Sequence, residues 1–485
     1  MSAFQELNVY QPTRQTYVVL PLRFTGLNDR QYVVTNLAGE FLTIERATLQ
    51  SFLRHELPNS DQAYIDLRAQ HFLVDDSTAI APELLALKIR TRYRRLSQFT
   101  ALHLFVVTLR CEHSCPYCQV SRQSEDRVAF DMPDSVARAA LDFCFRSPSP
   151  DLKIEFQGGE PLLNFELIKT IVGEAKERNR AAGKRLAFVI ATNLALMSRE
   201  ILDFCRAHDI LISTSLDGPK ALHNANRPRP GGDSYERTIA GIRLVRDQLG
   251  RDRVSALMTT TESSLDCVGE IIDEYLAQGF GEIFLRPLSP YGFAIRTKAY
   301  RAYSADRWLD FYKKGLDYII ELNRQGVPFL EVYAATILKK MFTSDDPGYV
   351  DLTNPAGIGI GAVAYNYDGD VYASDESRML AEMGDTTFRL GHVLKQSYED
   401  IFGAPQLLEP LDASFAQSVP MCTDCAFEPY CGADPVFHHK TFGDFVGRKP
   451  ESEFCSRNMT IFRFLIERMQ SDVFVKRLFR QWATR

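Results

Sequence analysis

The 485-residue sequence predicts an α/β protein built on a partial, TIM-like (β/α)6 barrel. A winged-helix-like α+β module precedes the barrel, and a cysteine-rich domain follows it. Three observations predict this. From about residue 100, β-branched and aromatic runs alternate with stretches of helical length, the pattern of a parallel sheet with right-handed crossovers. Before residue 95 the order is instead short strands, then helices. After residue 330 the alternation loosens, and four cysteines gather within 422–455.

Taken in order, "YVVLPLRF" and "QYVVTNLAGEFLTI" read as short strands with "LAGE" as a turn. "ATLQSFLRHEL" and "YIDLRAQHFL" then carry apolar residues at helical spacing. These make a first module over 1–95. "RYRRLSQ" (92–98) reads as a solvated basic linker. The barrel over 96–330 has six candidate strands: "LHLFVVTL", "LKIEFQ", "RLAFVIATN", "ILISTSLD", "RVSALMTT" and "EIFLRPLS". Helical segments lie near 131–146, 164–180, 198–208, 234–249 and 264–278. Met132, Val136, Ala140 and Phe143 mark one face of the first. The strands are apolar nearly throughout, as when both faces of a sheet are covered. In such barrels the chemistry sits at the C-terminal ends of the strands. Over 331–485, "AVAYNYDGDVYAS" reads as a hairpin with Asp368-Gly369 as a two-residue turn. "NMTIFRFLIERM" reads as a helix, and a mixed tail closes the chain.

Composition sets bounds. The chain is 45% hydrophobic and 24% charged, which is globular. A formal charge of −6 argues against sequence-independent nucleic-acid binding. No run reaches the ~18 apolar residues of a membrane span. The start, "MSAFQELNVYQPTRQTY", lacks a signal-peptide pattern. A cytoplasmic protein with no membrane or nucleic-acid partner is therefore expected. Ten cysteines in such a chain remain thiols, and seven fall in two groups, which reads first as metal binding. Cys144, Cys205 and Cys267 stand alone and carry no predicted chemistry.

The first group, "CEHSCPYCQ" (111–119), places Cys111, Cys115 and Cys118 just after the first barrel strand. Three thiolates can hold three irons of a [4Fe–4S] cluster and leave the fourth open, as a catalytic metal requires. The residues alone also admit a redox or zinc loop with a distant fourth ligand. Further pieces follow at successive strand ends: "FQGGEP" (156–161), "ATN" (191–193) and "SLDGP" (215–219), with "HNANRP" beyond.

C-x3-C-x2-C followed by these pieces in this order resembles the radical S-adenosylmethionine (SAM) superfamily. That resemblance implies an open iron chelated by the amino and carboxylate groups of SAM, whose reductive cleavage yields a 5′-deoxyadenosyl radical that abstracts a substrate hydrogen. It implies Tyr117 beside the adenine. Gly158, Gly159 and Glu160 are expected at the SAM amino group, Asn193 at the end of strand three, and Ser215 with Arg227 at the SAM carboxylate. No catalytic acid or base is predicted.

The second group, "CTDCAFEPYC", gives Cys422, Cys425 and Cys431, with Cys455 farther on. Four cysteines make a closed site, and structural zinc is the neutral reading, with His438 and His439 as further candidate ligands. The region resembles the SPASM domain, a C-terminal iron–sulfur domain with two auxiliary clusters. It departs from that pattern at Ser374, where a cysteine is expected, and at Pro435. No cysteine lies between 268 and 421. The resemblance therefore implies one auxiliary [4Fe–4S] cluster, held by the four retained cysteines, with either an electron-relay or a folding role.

The first module resembles the peptide-leader-binding winged helix of maturases that act on ribosomally made peptides; a capping domain without a ligand is the alternative. Over most of 100–460, "QVSRQSEDR", "RPLSPYGFAIRT" and "CGADPVFHHKT" resemble the maturase of His-Xaa-Ser radical SAM systems. This implies a His-Xaa-Ser precursor peptide as substrate, a flavodoxin- or ferredoxin-type electron donor and a second radical SAM enzyme as partner. Two other readings remain: a sulfatase-maturase-like oxidase that forms formylglycine, and a non-enzymatic iron–sulfur or zinc scaffold for peptide or RNA.

Overall fold

The computed structural model describes residues 16–77, 80–297, 300 and 303–485. The expectation about a signal peptide falls chiefly on residues 1–15, outside the described residues. In the first module, short strand β1 (Val18–Val19) is followed by β2 (Leu22–Gly26), β3 (Gln31–Asn36) and β4 (Phe41–Glu45). The last three form an antiparallel meander. Its β3–β4 turn closes on the Asn36 side chain, which accepts from the Ala38 and Glu40 amides. Helices Arg46–Leu53 and Gln62–Ala69 come next, then β5 (Leu73–Val74), which pairs with β1, and helix Ala81–Arg92. Val34, Phe52, Leu67 and Phe72 form a core belonging to this module.

The barrel region opens with β6 (Leu102–Thr108), followed by β7 (Asp151–Gly158), β8 (Arg185–Thr192), β9 (Leu211–Ser215) and β10 (Val254–Leu257). All five pair in parallel, in chain order. β6 is buried from His103 onward. Each fully covered apolar side chain contributes about 1.5–3 kcal/mol. Helix Asp134–Arg146 buries Val136, Ala140, Phe143 and Cys144 against the sheet, and Met132 just before it is buried too.

The sixth predicted strand forms differently. Only β11 (Glu282–Ile283) is extended, and it pairs with β12 (Leu330–Glu331) outside the main sheet. Beyond Arg286, Pro287 and Pro290 keep the segment from resuming as an interior strand, since proline lacks the amide a sheet interior needs. The Arg286 carbonyl still joins the barrel end by accepting from the Thr260 amide and hydroxyl at 3.2 and 2.7 Å.

The sheet continues through the hairpin of the third segment. β13 (Ala362–Tyr365) lies parallel to β6, then β14 (Asp370–Tyr372) and β15 (Arg389–His392) complete eight strands. The hairpin thus covers the β6 edge, which would otherwise present unpaired backbone groups. Its turn is longer than the expected two residues. The Gly369 amide bonds the Asn366 carbonyl and the Asn366 amide bonds Asp370, so Tyr367–Gly369 form a three-residue loop. Gly369 takes φ +94°, the left-handed position such a loop requires. Helix Glu453–Ser471 follows the cysteine-rich loop, and the tail is itself a helix, Val473–Ala483, packed on helix Val332–Phe342. Among the described residues, no helix is long and apolar enough to cross a membrane.

Candidate active site and cysteine groups

The C-terminal ends of β6 to β10 and the turn at Arg286 surround one cavity of about 230 Å³. Cys111, Cys115, Cys118, Tyr117, Gly158, Gly159, Asn193, Ser215 and Arg227 all line it. The buried Arg110 guanidinium fixes the base of the cysteine loop. It donates to both Asp131 oxygens at 2.7 and 2.8 Å and to the Leu163 carbonyl at 2.7 Å. At the far end, the Phe293 amide bonds the Cys118 carbonyl at 2.8 Å.

The two glycines after β7 let backbone meet backbone. A Cβ on Gly159 would fall 2.2 Å from the Arg110 carbonyl oxygen, and one on Gly158 would fall 2.1 Å from that of Thr108. Their smallness serves first to seat β7 against the cysteine loop, where the Gly159 and Glu160 amides bond Thr108 and Arg110 at 2.9 and 2.7 Å. Glu160 is not itself among the cavity-lining residues but bonds two that are, Thr192 and Asn193. Its fully buried carboxyl accepts from the Thr192 hydroxyl (2.7 Å), the Asn193 amide (2.9 Å) and the Leu162 amide (3.1 Å). Burial, with the Glu112 charge second, pushes Glu160 up to about 8. Glu112 stands below its ordinary value: burial opposes its ionisation, but His113 and Asn193 beside it outweigh that. The Asn193 side-chain amide donates to Glu112 at 2.8 Å, so Glu160 and Glu112 together hold Asn193 in place.

Asp217 was not singled out by sequence reasoning, although it lies in "SLDGP". It is fully buried, and two predicted SAM contacts converge on it. The Tyr117 hydroxyl donates at 2.5 Å, and Arg227 donates at 2.9 and 3.2 Å. Burial opposes its charge, but Arg227, His223 and the Tyr117 hydroxyl hold its carboxyl below the usual range. Arg227 also lies 5.5 Å from the Tyr117 ring centroid, a cation–π contact. Other cavity groups that the sequence did not mark are Arg122, His113, Thr214 and Arg286.

The wall suits a polar ligand that presents a carboxylate among its groups. The Thr214 hydroxyl and Arg122 Nε are buried without a partner on this wall, and Arg227 and Arg286 add positive charge. The three thiols are unbridged, and burial pushes Cys115 up to about 12, partly offset by Arg227. A buried thiolate of this kind needs a cationic partner such as a metal. These three cysteines could hold an iron–sulfur cluster, and the cavity could hold SAM against it. Among the described residues, the one trio with ligand atoms mutually within 4.8 Å is Cys111, Glu112 and His113, where His113 is also bonded to Ser234 at 2.8 Å.

Cys422, Cys425, Cys431 and Cys455 come together by a different route. The first three lie on consecutive turns, with the Cys425 amide on the Cys422 carbonyl and the Cys431 amide on the Phe427 carbonyl. Cys455 enters from the first turn of helix Glu453–Ser471, whose cap Ser452 accepts from its amide at 3.3 Å. Burial pushes Cys422 and Cys425 up to about 11 and Cys431 to about 12, and in each the neighbouring thiols add to the rise. No three of these sulfurs lie within 4.8 Å of one another, among the described residues. Tetrahedral zinc would draw them to about 3.8 Å, given its ~2.3 Å Zn–S bonds. The four thiols could close around either zinc or an iron–sulfur cluster. His439 bonds Asp385 at 2.9 Å, whereas His438 bonds Ser452 through Nε2 at 3.0 Å and keeps its buried Nδ1 without a partner. Ser374 caps helix Asp375–Ala381 by accepting from the Ser377 amide, and Pro435 begins helix Pro435–Phe442.

Residues 105–274 match the family model of the radical SAM superfamily, and the domain they belong to is that of a radical SAM enzyme. That superfamily uses a [4Fe–4S] cluster and SAM. An uncharacterized protein of Methanocaldococcus jannaschii is 28% identical over 190 residues, 39% of this chain and 63% of its own length. The radical SAM cyclopropyl synthase TigE of Paramaledivibacter caminithermalis is 24% identical over 163 residues, 31% of this chain and 33% of its own length. The chain thus spans less than two thirds of either relative. Among solved structures, anSMEcpe with bound AdoMet aligns with a TM-score of 0.62 at 17% identity, covering 78% of this chain and 99% of that one. Streptococcus suis SuiB bound to precursor peptide SuiA aligns with a TM-score of 0.53 at 14% identity, covering 90% and 99%. The fold is that of these SAM-binding partial barrels.

Proposed function

We propose that this protein is a radical SAM maturase of a ribosomally made peptide, and that its substrate is a precursor with His-Xaa-Ser repeats. The observation that carries the reading is the convergence of three free thiols and five parallel strand ends on one cavity. Cys111, Cys115 and Cys118 would hold a [4Fe–4S] cluster with one iron left for SAM, and Cys422, Cys425, Cys431 and Cys455 would hold a second, closed cluster. When bound, the cluster and SAM would supply the radical chemistry for abstracting a hydrogen atom from the peptide. The chain's own part is to bind and orient. Arg227, held by Asp217, and Arg122 offer guanidinium donors to the SAM carboxylate. Tyr117 offers a ring face to the adenine. Asn193, held by Glu112 and Glu160, and Ser215 complete the wall.

The peptide reading is supported by the likeness in fold to SuiB, whose structure was determined with its precursor peptide, and by the small meander module at the start of the chain. A flavodoxin- or ferredoxin-type donor would supply the electron, and a second radical SAM enzyme would act on the same precursor. Co-expression with a His-Xaa-Ser precursor, followed by mass spectrometry and chiral amino-acid analysis, tests the substrate. The expected result is a modified precursor only when Cys115 is intact. An unaltered mass together with unaltered chirality would refute it.

A further inference from the structure

A second cavity lies behind Arg286, which lines both chambers. Its wall is aromatic, with Tyr291, Trp308, Tyr333 and Tyr349, and it contains three carboxyls: Asp351, Glu376 and Asp434. Arg286 and Arg457 are the cations in this lining, so three acids against two bases leave one formal negative charge. Among the described residues, none of the three carboxyls accepts a hydrogen bond from a cationic side chain, although Arg286 pairs in charge with Glu376 and Asp434 caps helix Pro435–Phe442. Arg286 stands 3.7 Å from Glu376, too far for a hydrogen bond. Asp434 accepts from the Phe437 amide at 2.9 Å, and Asp351 from the Tyr349 hydroxyl at 3.2 Å. Burial, with Asp351 second, pushes Glu376 up to about 8 and Asp434 to about 7.

Two neutral groups point to a missing ligand. The Tyr291 hydroxyl and the Trp308 indole N–H have no hydrogen-bond partner, and each residue is only 2% exposed. The Tyr291 hydroxyl lies in the field of Asp434, Glu376 and Asp351. A buried polar group left without a partner is costly, so a site filled from outside is the simplest explanation. A bare metal ion does not fit: among the described residues, no three acid oxygens here lie within 4.8 Å of one another. The cavity measures about 40 Å³, room for about three waters, which is the bulk of an ammonium or guanidinium head. Aromatic walls and buried carboxylates both favour such a cation.

We propose that this cavity is a subsite for the cationic head of a basic side chain in the peptide substrate, bound by Glu376, Asp434 and the Tyr291 hydroxyl. The inference rests on the peptide-maturase reading and adds what the peptide must present. The test is isothermal titration calorimetry of the reconstituted full-length protein with methylammonium and methylguanidinium chloride, using acetamide as the neutral control at matched ionic strength. Saturable binding of at least one cation, with none of acetamide, is expected. Glu376→Gln and Tyr291→Phe should each weaken it by about tenfold, the scale of one hydrogen bond to a charged group. Tyr291→Phe removes a hydroxyl that bonds nothing in the chain, so it leaves the fold intact even if Glu376→Gln does not. Equal binding of acetamide, no binding of either cation, or a cation affinity indifferent to Tyr291→Phe would overturn the inference. Formation of 5′-deoxyadenosine by the same preparation reports separately. Cleavage without cation binding defeats this inference alone, whereas absence of cleavage defeats the proposed function.

Discussion

Asp217 shows how a residue can organise a site whose ligands it need not touch. It has no exposure of its own, yet Tyr117 and Arg227 both depend on its two oxygens for their position. Removing one member of a buried, hydrogen-bonded charge pair costs about 3–5 kcal/mol, because the other charge is left uncompensated. Asp217→Asn should therefore lower stability on that scale and weaken SAM binding by more than about tenfold while leaving iron content unchanged. Equilibrium dialysis with SAM and an iron assay would check both, and SAM affinity equal to wild type would contradict this account of Arg227. Cys115→Ala should instead halve the iron, from about eight atoms per chain to about four, and abolish 5′-deoxyadenosine. The cysteines were legible in the sequence because their spacing lies within nine consecutive residues. Asp217, Glu112 and Asp131 were not, because each acts on a partner from another loop that only the closed barrel brings near.

The element that most constrains the site is the end of β7. Gly159→Ala would drive a methyl group into the Arg110 carbonyl, and neither backbone can move without shifting the cysteine loop. The expected outcome is loss of SAM-dependent cleavage and of about half the iron, with the four-cysteine site retained. Full iron and full cleavage in this variant would show that the close seating of β7 is dispensable. The five barrel strands β6 to β10 were legible because each is a compact apolar run with a helix of ordinary length behind it. The sixth was over-read: "EIFLRPLS" has the composition of a strand, but only Glu282–Ile283 pairs, outside the main sheet, and Pro287 lacks the amide a longer ladder would need. The final helix was missed for the opposite reason. Val475, Leu478, Phe479 and Trp482 form its buried stripe, but charged residues between them broke up the apolar texture.

Across the whole molecule, the first module is joined to the four-cysteine loop by buried polar contacts rather than tethered by a linker. Arg23 donates to the Glu428 carboxylate at 2.8 Å and to the Thr423 carbonyl at 2.6 Å, and the Thr35 and Tyr430 hydroxyls bond across the same boundary at 2.7 and 2.8 Å. Arg92, read from sequence as part of a solvated linker, is buried here and donates to the Ala38 and Pro429 carbonyls. Glu428→Ala should destabilise the chain by about 3–5 kcal/mol, and pairing it with Arg23→Met should recover most of that loss, since an apolar pair can replace a buried ion pair. Denaturant melts of the single and double variants would check this, and a double variant as weak as the single would contradict it. The claim on which the rest depends is that only one of two clusters has an open iron. Electron paramagnetic resonance of the reduced, reconstituted protein with and without SAM tests it most directly. The account predicts two signals, of which one shifts on adding SAM and is absent in Cys115→Ala, while the other is indifferent to both. A single signal, or signals that do not respond to SAM, would contradict it.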